Sequence, residues 1–331
     1  MTPFSALQIK NGSPLKEVLA PELGILNQSL QIVAEETDGF LGDLLSYVLK
    51  GSGKRIRPAL VFLTSQLGRS KLEAVRTVAM AVELIHIATL IHDDIIDKAA
   101  LRRGGKTVVE REGTDSALLL GDYIFTYAYK KVASLNEPLI LQLLAEATYT
   151  VCDGEINQLK RRFQFDLSEG EYFSFIRKKT ASLFGASARC GAILAGQPLE
   201  IQESLERFGI NLGVAFQIRD DLLDLTANEK DIGKTLRTDI LNGKMTLPLI
   251  LFREEKRGQV DFDYFFGLLK SPNGQLESLL NDVRKSGAIE GAMDVVEKQI
   301  KAAKDELSGL PSERVRAHLD DLSDFLLKRN F

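Results

Sequence analysis

The pattern Asp-Asp-x-x-Asp occurs in three places in this chain: DDIID at 93–97, DDLLD at 220–224 and DDLSD at 320–324. On a helix the first and last aspartates of such a motif lie four residues apart and share a face. Two helices presenting such pairs to one another would gather negative charge that cannot persist without cations. Carboxylate oxygens of this kind point to Mg2+ rather than zinc.

The surroundings separate the copies. Around 320 the segment ERVRAHLDDLSDFLLKR is amphipathic, with Val315, Leu319, Leu322 and Leu326 in one stripe. Asp320, Asp321 and Asp324 fall on the opposite face, which the spacing predicts to be solvated. The other two motifs each end a long apolar stretch, TVAMAVELIHIATLI before 93 and FGINLGVAFQI before 220. Carboxylates there sit where the helix dipole is already negative, so something cationic must meet them. Followed back from Asp93, the same face carries Thr89 and then His86, and Gln217 lies one turn before Asp221.

Basic residues gather in the same neighbourhoods. GSGKRIRP supplies Lys54, Arg55 and Arg57; LRRGG places Arg102 and Arg103 one loop after the first motif; RKKTASLF offers Lys178, Lys179 and Thr180. Lys234 and Lys244 follow the second motif. A single Lys or Arg is more often a surface charge, and His86 on a buried helix is by itself more often a satisfied core residue. As a set beside metal-binding carboxylates, these cations suit a diphosphate, which Arg grips bidentately and Lys meets as a point charge. GSGKRI is no P-loop: Val48 stands at the first Gly position, Arg55 follows Lys54 where Ser or Thr belongs, and no strand precedes it.

The elements that must position these groups have helical apolar spacing almost throughout. Helices are predicted at 15–37, 40–50, 56–67, 71–98, 115–134, 137–161, 169–197 with a break near 177, and 199–225. Shorter ones follow at 245–256, 262–270, 275–286, 288–307 and 311–329. With no linker or repeat, the expectation is an all-α fold, a single domain over 1–331 with long helices around a central apolar cavity. A composition of 44% hydrophobic and 27% charged residues is that of a soluble protein. The net charge of −4 argues against nonspecific nucleic-acid binding. Cys152 and Cys190 make no disulfide framework, no secretory signal opens the chain, and no charge-free run reaches membrane length. A cytoplasmic location is therefore expected.

Taken in order, GSGKRIRP, ELIHIATLIHDDIIDKAALRRGG, LLLGDYIFTYAY, DGEINQ, KKTASLFGASA, FQIRDDLLD and GKTLRTDILNGKMTLPLI resemble the trans-isoprenyl diphosphate synthase (polyprenyl synthetase) family, over residues 51–250. The resemblance implies that an allylic diphosphate ionises, that the double bond of isopentenyl diphosphate attacks the cation, and that a proton is then lost. It implies about three Mg2+ per site to neutralise the leaving group, held by Asp93 and Asp97 on one side and by Asp220, with Asp221 and Asp224, on the other. Arg102, Lys179, Lys234 and Lys244 would bind the allylic diphosphate, and Lys54, Arg57, His86 and Arg103 isopentenyl diphosphate. Thr180 and Gln217 would line the reaction centre. A homodimer is implied, for which helix 115–134 is a candidate interface.

By the same resemblance, residues one turn below the first motif set product length. Ala88 and Thr89 stand where short-chain members tend to carry an aromatic, which favours a long, octaprenyl-like product of roughly six isoprene units or more. Tyr149 or Cys152 could form a lower stop, with core packing an equal rival. A farnesyl or geranylgeranyl diphosphate synthase is the alternative within the class. A terpene cyclase would not need the isopentenyl-binding set, and a non-catalytic subunit of a heterodimeric synthase would be expected to lose part of the motifs.

Overall fold

The computed structural model describes residues 14–50, 53–102, 104–226, 238–256 and 275–327. It is helical: α1 (Pro14–Glu35), α2 (Gly39–Leu49), α3 (Ile56–Thr64), α4 (Leu72–Ile96), α5 (Val108–Ala133), α6 (Pro138–Lys160), α7 (Glu169–Ile176), α8 (Ser182–Leu194) and α9 (Leu199–Thr226). Then come α10 (Thr238–Leu241), α11 (Leu247–Glu255), α12 (Gln275–Lys285), α13 (Ala288–Asp305) and α14 (Glu313–Leu327). Between α4 and α5 the chain makes a small antiparallel hairpin, β1 (Leu101–Arg102) paired with β2 (Gly105–Lys106). The predicted helix at 262–270 and the residues Arg103 and Lys234 lie outside the described residues.

α4 is the spine. Val78, Ala79, Ala81, Val82, Leu84, Ile85 and Ala88 are all buried, so apolar side chains surround the helix rather than forming one stripe. It packs against α5, α3 and α8, while α8 lies along α9 and α9 against α13. By length and composition α4 is long and apolar enough to cross a membrane, although it carries charges such as Arg76 and Glu83, and most of it is buried inside the molecule.

Two local differences from the sequence reading have physical causes. α5 begins at Val108 rather than 115 because Thr107 caps it, accepting the Glu110 amide at 3.2 Å, a common helix-starting contact. The chain then kinks at Gly113, whose φ of 84° suits a residue without a Cβ. The break predicted near 177 is a π-helical turn, Arg177–Ala181, which carries Lys179 and Thr180; such turns are frequent at functional sites. DDLSD is the solvated face that its spacing predicts: Asp321 is exposed, and the Asp320 and Asp324 side chains are 45% and 39% exposed where Lys304 from α13 reaches them at 3.1 and 2.7 Å. These are surface ion pairs between α13 and α14, of the kind that contribute little to stability.

The π-turn is wedged between two bare helix surfaces. A Cβ on Gly154 of α6 would come within 2.7 Å of the Lys178 Cβ, and one on Gly213 of α9 within 2.6 Å of the Ala181 Cα. Only hydrogen fits there. Gly213→Ala is expected to cost about 1–3 kcal/mol through overpacking, measured by denaturant unfolding; an unchanged midpoint would show that the turn can shift freely.

Candidate active site

At the end of α4 the three aspartates each meet a cation. Asp97 caps the helix, its amide bonded to the Asp93 carbonyl at 2.8 Å. One of its carboxylate oxygens accepts from Lys244 Nζ at 2.7 Å and the other from the Arg162 guanidinium. Burial alone would raise the Asp97 carboxyl, but the charges of Lys244, Lys179 and Arg162 hold it below the ordinary range. Asp94 is buried, with Nε and Nη2 of Arg102 both 2.7 Å from its Oδ1. There burial prevails and pushes the carboxyl up, with Arg102 opposing.

Lys179, on the π-turn, lies 3.6 Å from Asp93, pairs with Glu155 and reaches Gln158 at 3.5 Å. Burial would favour the neutral amine, but the surrounding carboxylates outweigh it and keep Lys179 firmly protonated.

The second aspartate cluster closes α9. Tyr172 donates to Asp221 Oδ2 at 2.6 Å and Gln217 Nε2 to Oδ1 at 2.7 Å, while Thr180 donates to Gln217 Oε1 at 2.6 Å. Burial, with the like charges of Asp239 and Asp220, pushes the Asp221 carboxyl up to about 8 against the pull of its two donors. Asp221 is buried, with donors on both its oxygens, as Lys244 and Arg162 meet both oxygens of Asp97. Asp220 is half-buried, and the buried Asp224 accepts the Asp239 amide at 3.4 Å. Lys244 joins the two clusters, touching Asp97 on one side and Asp239 at 3.5 Å on the other.

The other predicted cations line a neighbouring wall. Arg57 stacks over Phe184 at 4.5 Å and Lys54 lies 5.8 Å from the Phe216 ring, placements in which a cation meets the negative face of a ring. The two rings are 5.3 Å apart. Phe216 directly precedes Gln217 in the chain. Thr89 and His86 share the half-buried face of α4, with the Thr89 hydroxyl turned back to the His86 carbonyl at 2.7 Å. Ala88 is fully enclosed at 0% exposure, and Tyr149 is 70% exposed on α6. Tyr149 therefore does not form an end wall inside this chain, and Cys152 beside it is exposed as well. Sequence reasoning missed Tyr172 and Arg162; Glu155 and Gln158 were visible only as members of DGEINQ, and Asp239 only as a member of GKTLRTDILNGKMTLPLI.

The polyprenyl synthetase family model matches residues 39–276. The chain belongs to that family. It is a prenyltransferase of the diphosphate synthase class. It is 35% identical to heptaprenyl diphosphate synthase component 2 of Geobacillus stearothermophilus, over 95% of this chain and 97% of that one. Octaprenyl diphosphate synthase of Escherichia coli (strain K12) is 32% identical, over 97% and 99%. A polyprenyl synthase from Caulobacter crescentus CB15, solved with calcium and isoprenyl diphosphate, superposes with a TM-score of 0.90 at 30% identity, covering 98% of this chain and all of that one. The likeness therefore runs well past residue 250, where the motifs stop.

The carboxylates fit a divalent metal of one kind. Among the described residues no three acidic, His or Cys side chains converge as a ready cage. Mg2+ binds through one or two carboxylates and completes its shell with water and substrate phosphate, and the separated Asp pairs suit that pattern. Tyr172→Phe is expected to cost about 1–3 kcal/mol by leaving the buried Asp221 short of a donor, read by chemical denaturation; wild-type stability in that variant would show that the bond carries no weight.

Proposed function

We propose that this prenyltransferase extends an allylic diphosphate with isopentenyl diphosphate, in a Mg2+-dependent reaction, to a trans polyprenyl diphosphate of roughly six isoprene units or more. The observation that carries the reading is the pair of aspartate-bearing helix ends, α4 and α9, joined through Lys244 and Asp239 beside the buried cation Lys179. The chain works as one helical domain.

In the step itself the allylic C–O bond breaks and its electron pair leaves with the diphosphate. The isopentenyl double bond then supplies the pair for the new C–C bond, and loss of a proton restores a double bond. Lys179, Lys244 and Arg102, with Lys234, hold the departing diphosphate and oppose its growing charge. Mg2+, when bound by Asp93, Asp97 and Asp220 with Asp224, would supply further neutralisation of that leaving group. Lys54, Arg57 and His86, with Arg103, hold isopentenyl diphosphate against the Phe184–Phe216 wall. The oxygen dipoles of Thr180 and Gln217 favour a neighbouring carbocation.

Length follows from what stands below Asp93. Thr89, half-buried on the Asp93 face and folded back onto its own helix, is a small side chain where an aromatic would block a growing chain, which supports the long product over the farnesyl or geranylgeranyl alternative; Ala88 is packed into the core. Leu118 and Leu119 on α5 and Tyr149 and Ile156 on α6 are exposed apolar residues, and they support a subunit interface on this side. The reading is a homodimer. The similarity to a heptaprenyl synthase component 2 favours a second possibility, an enzyme that needs another polypeptide.

Purified protein given farnesyl diphosphate, labelled isopentenyl diphosphate and Mg2+ is expected to release products of about 30 carbons or longer, and chelation should abolish turnover. No elongation with any allylic primer, alone or with an added second subunit, would refute the activity. Thr89→Phe or Ala88→Phe is expected to shorten the product by several units; unchanged length in both folded variants would place the floor elsewhere.

A further inference from the structure

Arg55 sits between Lys54 and Arg57 yet turns away from them. Its Nη1 lies 2.5 Å from Glu83 Oε1 on α4, and its Nε donates to Asn27 Oδ1 of α1 at 3.2 Å. Arg55 and Glu83 are only 3% and 2% exposed, in a core otherwise built from residues such as Leu26, Leu30, Leu60 and Val82. A buried ion pair is seldom the most stable filling for such a core, because two charges must be desolvated to form it. Arg55 also adopts a left-handed backbone, φ 49° and ψ 32°, at the N-cap of α3. A side-chain-bearing residue rarely takes that conformation, and such strain persists only where the surroundings hold it.

These two costs meet at one residue, and the result is a chain reversal with a defined direction. Before the bend, Lys54 reaches the Phe216 ring; after it, Arg57 reaches the Phe184 ring. Both flanking cations therefore address one wall, formed by α8 and α9 next to Gln217, while Arg55 is drawn the opposite way into α1 and α4.

We propose that the Arg55–Glu83 ion pair, pinned by Asn27, is a positioning device that aims Lys54 and Arg57 at the diphosphate of isopentenyl diphosphate. The inference rests on the reading of Lys54 and Arg57 as ligands of that substrate. Arg55 itself does not touch substrate. It sets the backbone direction from which its two neighbours extend, and Glu83 ties that direction to the helix bearing Asp93. The allylic diphosphate, held from the other side by Lys179 and Lys244, is independent of it.

The test is the double variant Arg55→Met/Glu83→Met, which replaces the buried pair with apolar side chains of similar volume. Its melting temperature is expected to equal or exceed that of the parent. Its KM for isopentenyl diphosphate should rise about tenfold, the loss expected of a displaced charge-assisted contact, while KM for farnesyl diphosphate and kcat stay within about twofold. A folded double variant with parental KM for isopentenyl diphosphate overturns the inference and leaves the pair as core packing. If the double variant does not fold, Glu83→Leu removes the acceptor that holds Arg55, and an unchanged KM for isopentenyl diphosphate in that folded variant overturns the inference equally. Lys54→Met separates the two levels: if it leaves KM for isopentenyl diphosphate unchanged in an active enzyme, the ligand reading beneath the proposal fails instead.

Discussion

The buried ammonium of Lys244 is the contact on which the rest of the site depends. It bonds Asp97 at the end of α4 and faces Asp239, whose amide in turn binds Asp224 at the end of α9. Two helix C-termini carrying aspartates would repel through both their side chains and their dipoles. Lys244, with Arg162 and Lys179, offsets that repulsion at Asp97, where the two helix ends meet. The depressed Asp97 carboxyl is the electrostatic trace of that arrangement.

The scaffold serves this junction by keeping its backbones close and its core dry. Bare glycine surfaces at Gly154 and Gly213 admit the π-turn that lifts Lys179 and Thr180 between α6 and α9. From there a hydrogen-bond path runs from Thr180 through Gln217 and Asp221 to Tyr172. A buried polar path of this kind is costly unless every member is satisfied, so it specifies one arrangement of α7, the π-turn and α9.

Much of this was legible in the residues. The helical apolar period located the long helices, and i, i+4 spacing put Asp93 with Asp97 and Asp220 with Asp224 on common faces. Cations near the motifs were visible as a set, but which of them meets which carboxylate was not. Arg162 lies in no motif, and its distance from Asp97 in the chain hides a contact that only the tertiary packing creates. Tyr172 reads as an ordinary core aromatic until its hydroxyl is seen on Asp221. At DDLSD the amphipathic stripe located the exposed face correctly, while the position of Lys304 on a separate helix beside it cannot be read from that stripe.

On the function proposed, metal and diphosphate are expected to enter this site together, since protein cations already hold the first-motif carboxylates and no three metal-ligating side chains converge among the described residues. Calorimetric titration of Mg2+ into the protein, with and without inorganic diphosphate, tests it most directly. The account predicts tight Mg2+ binding only when diphosphate is present. Equally tight binding without diphosphate, or none with it, would contradict the account.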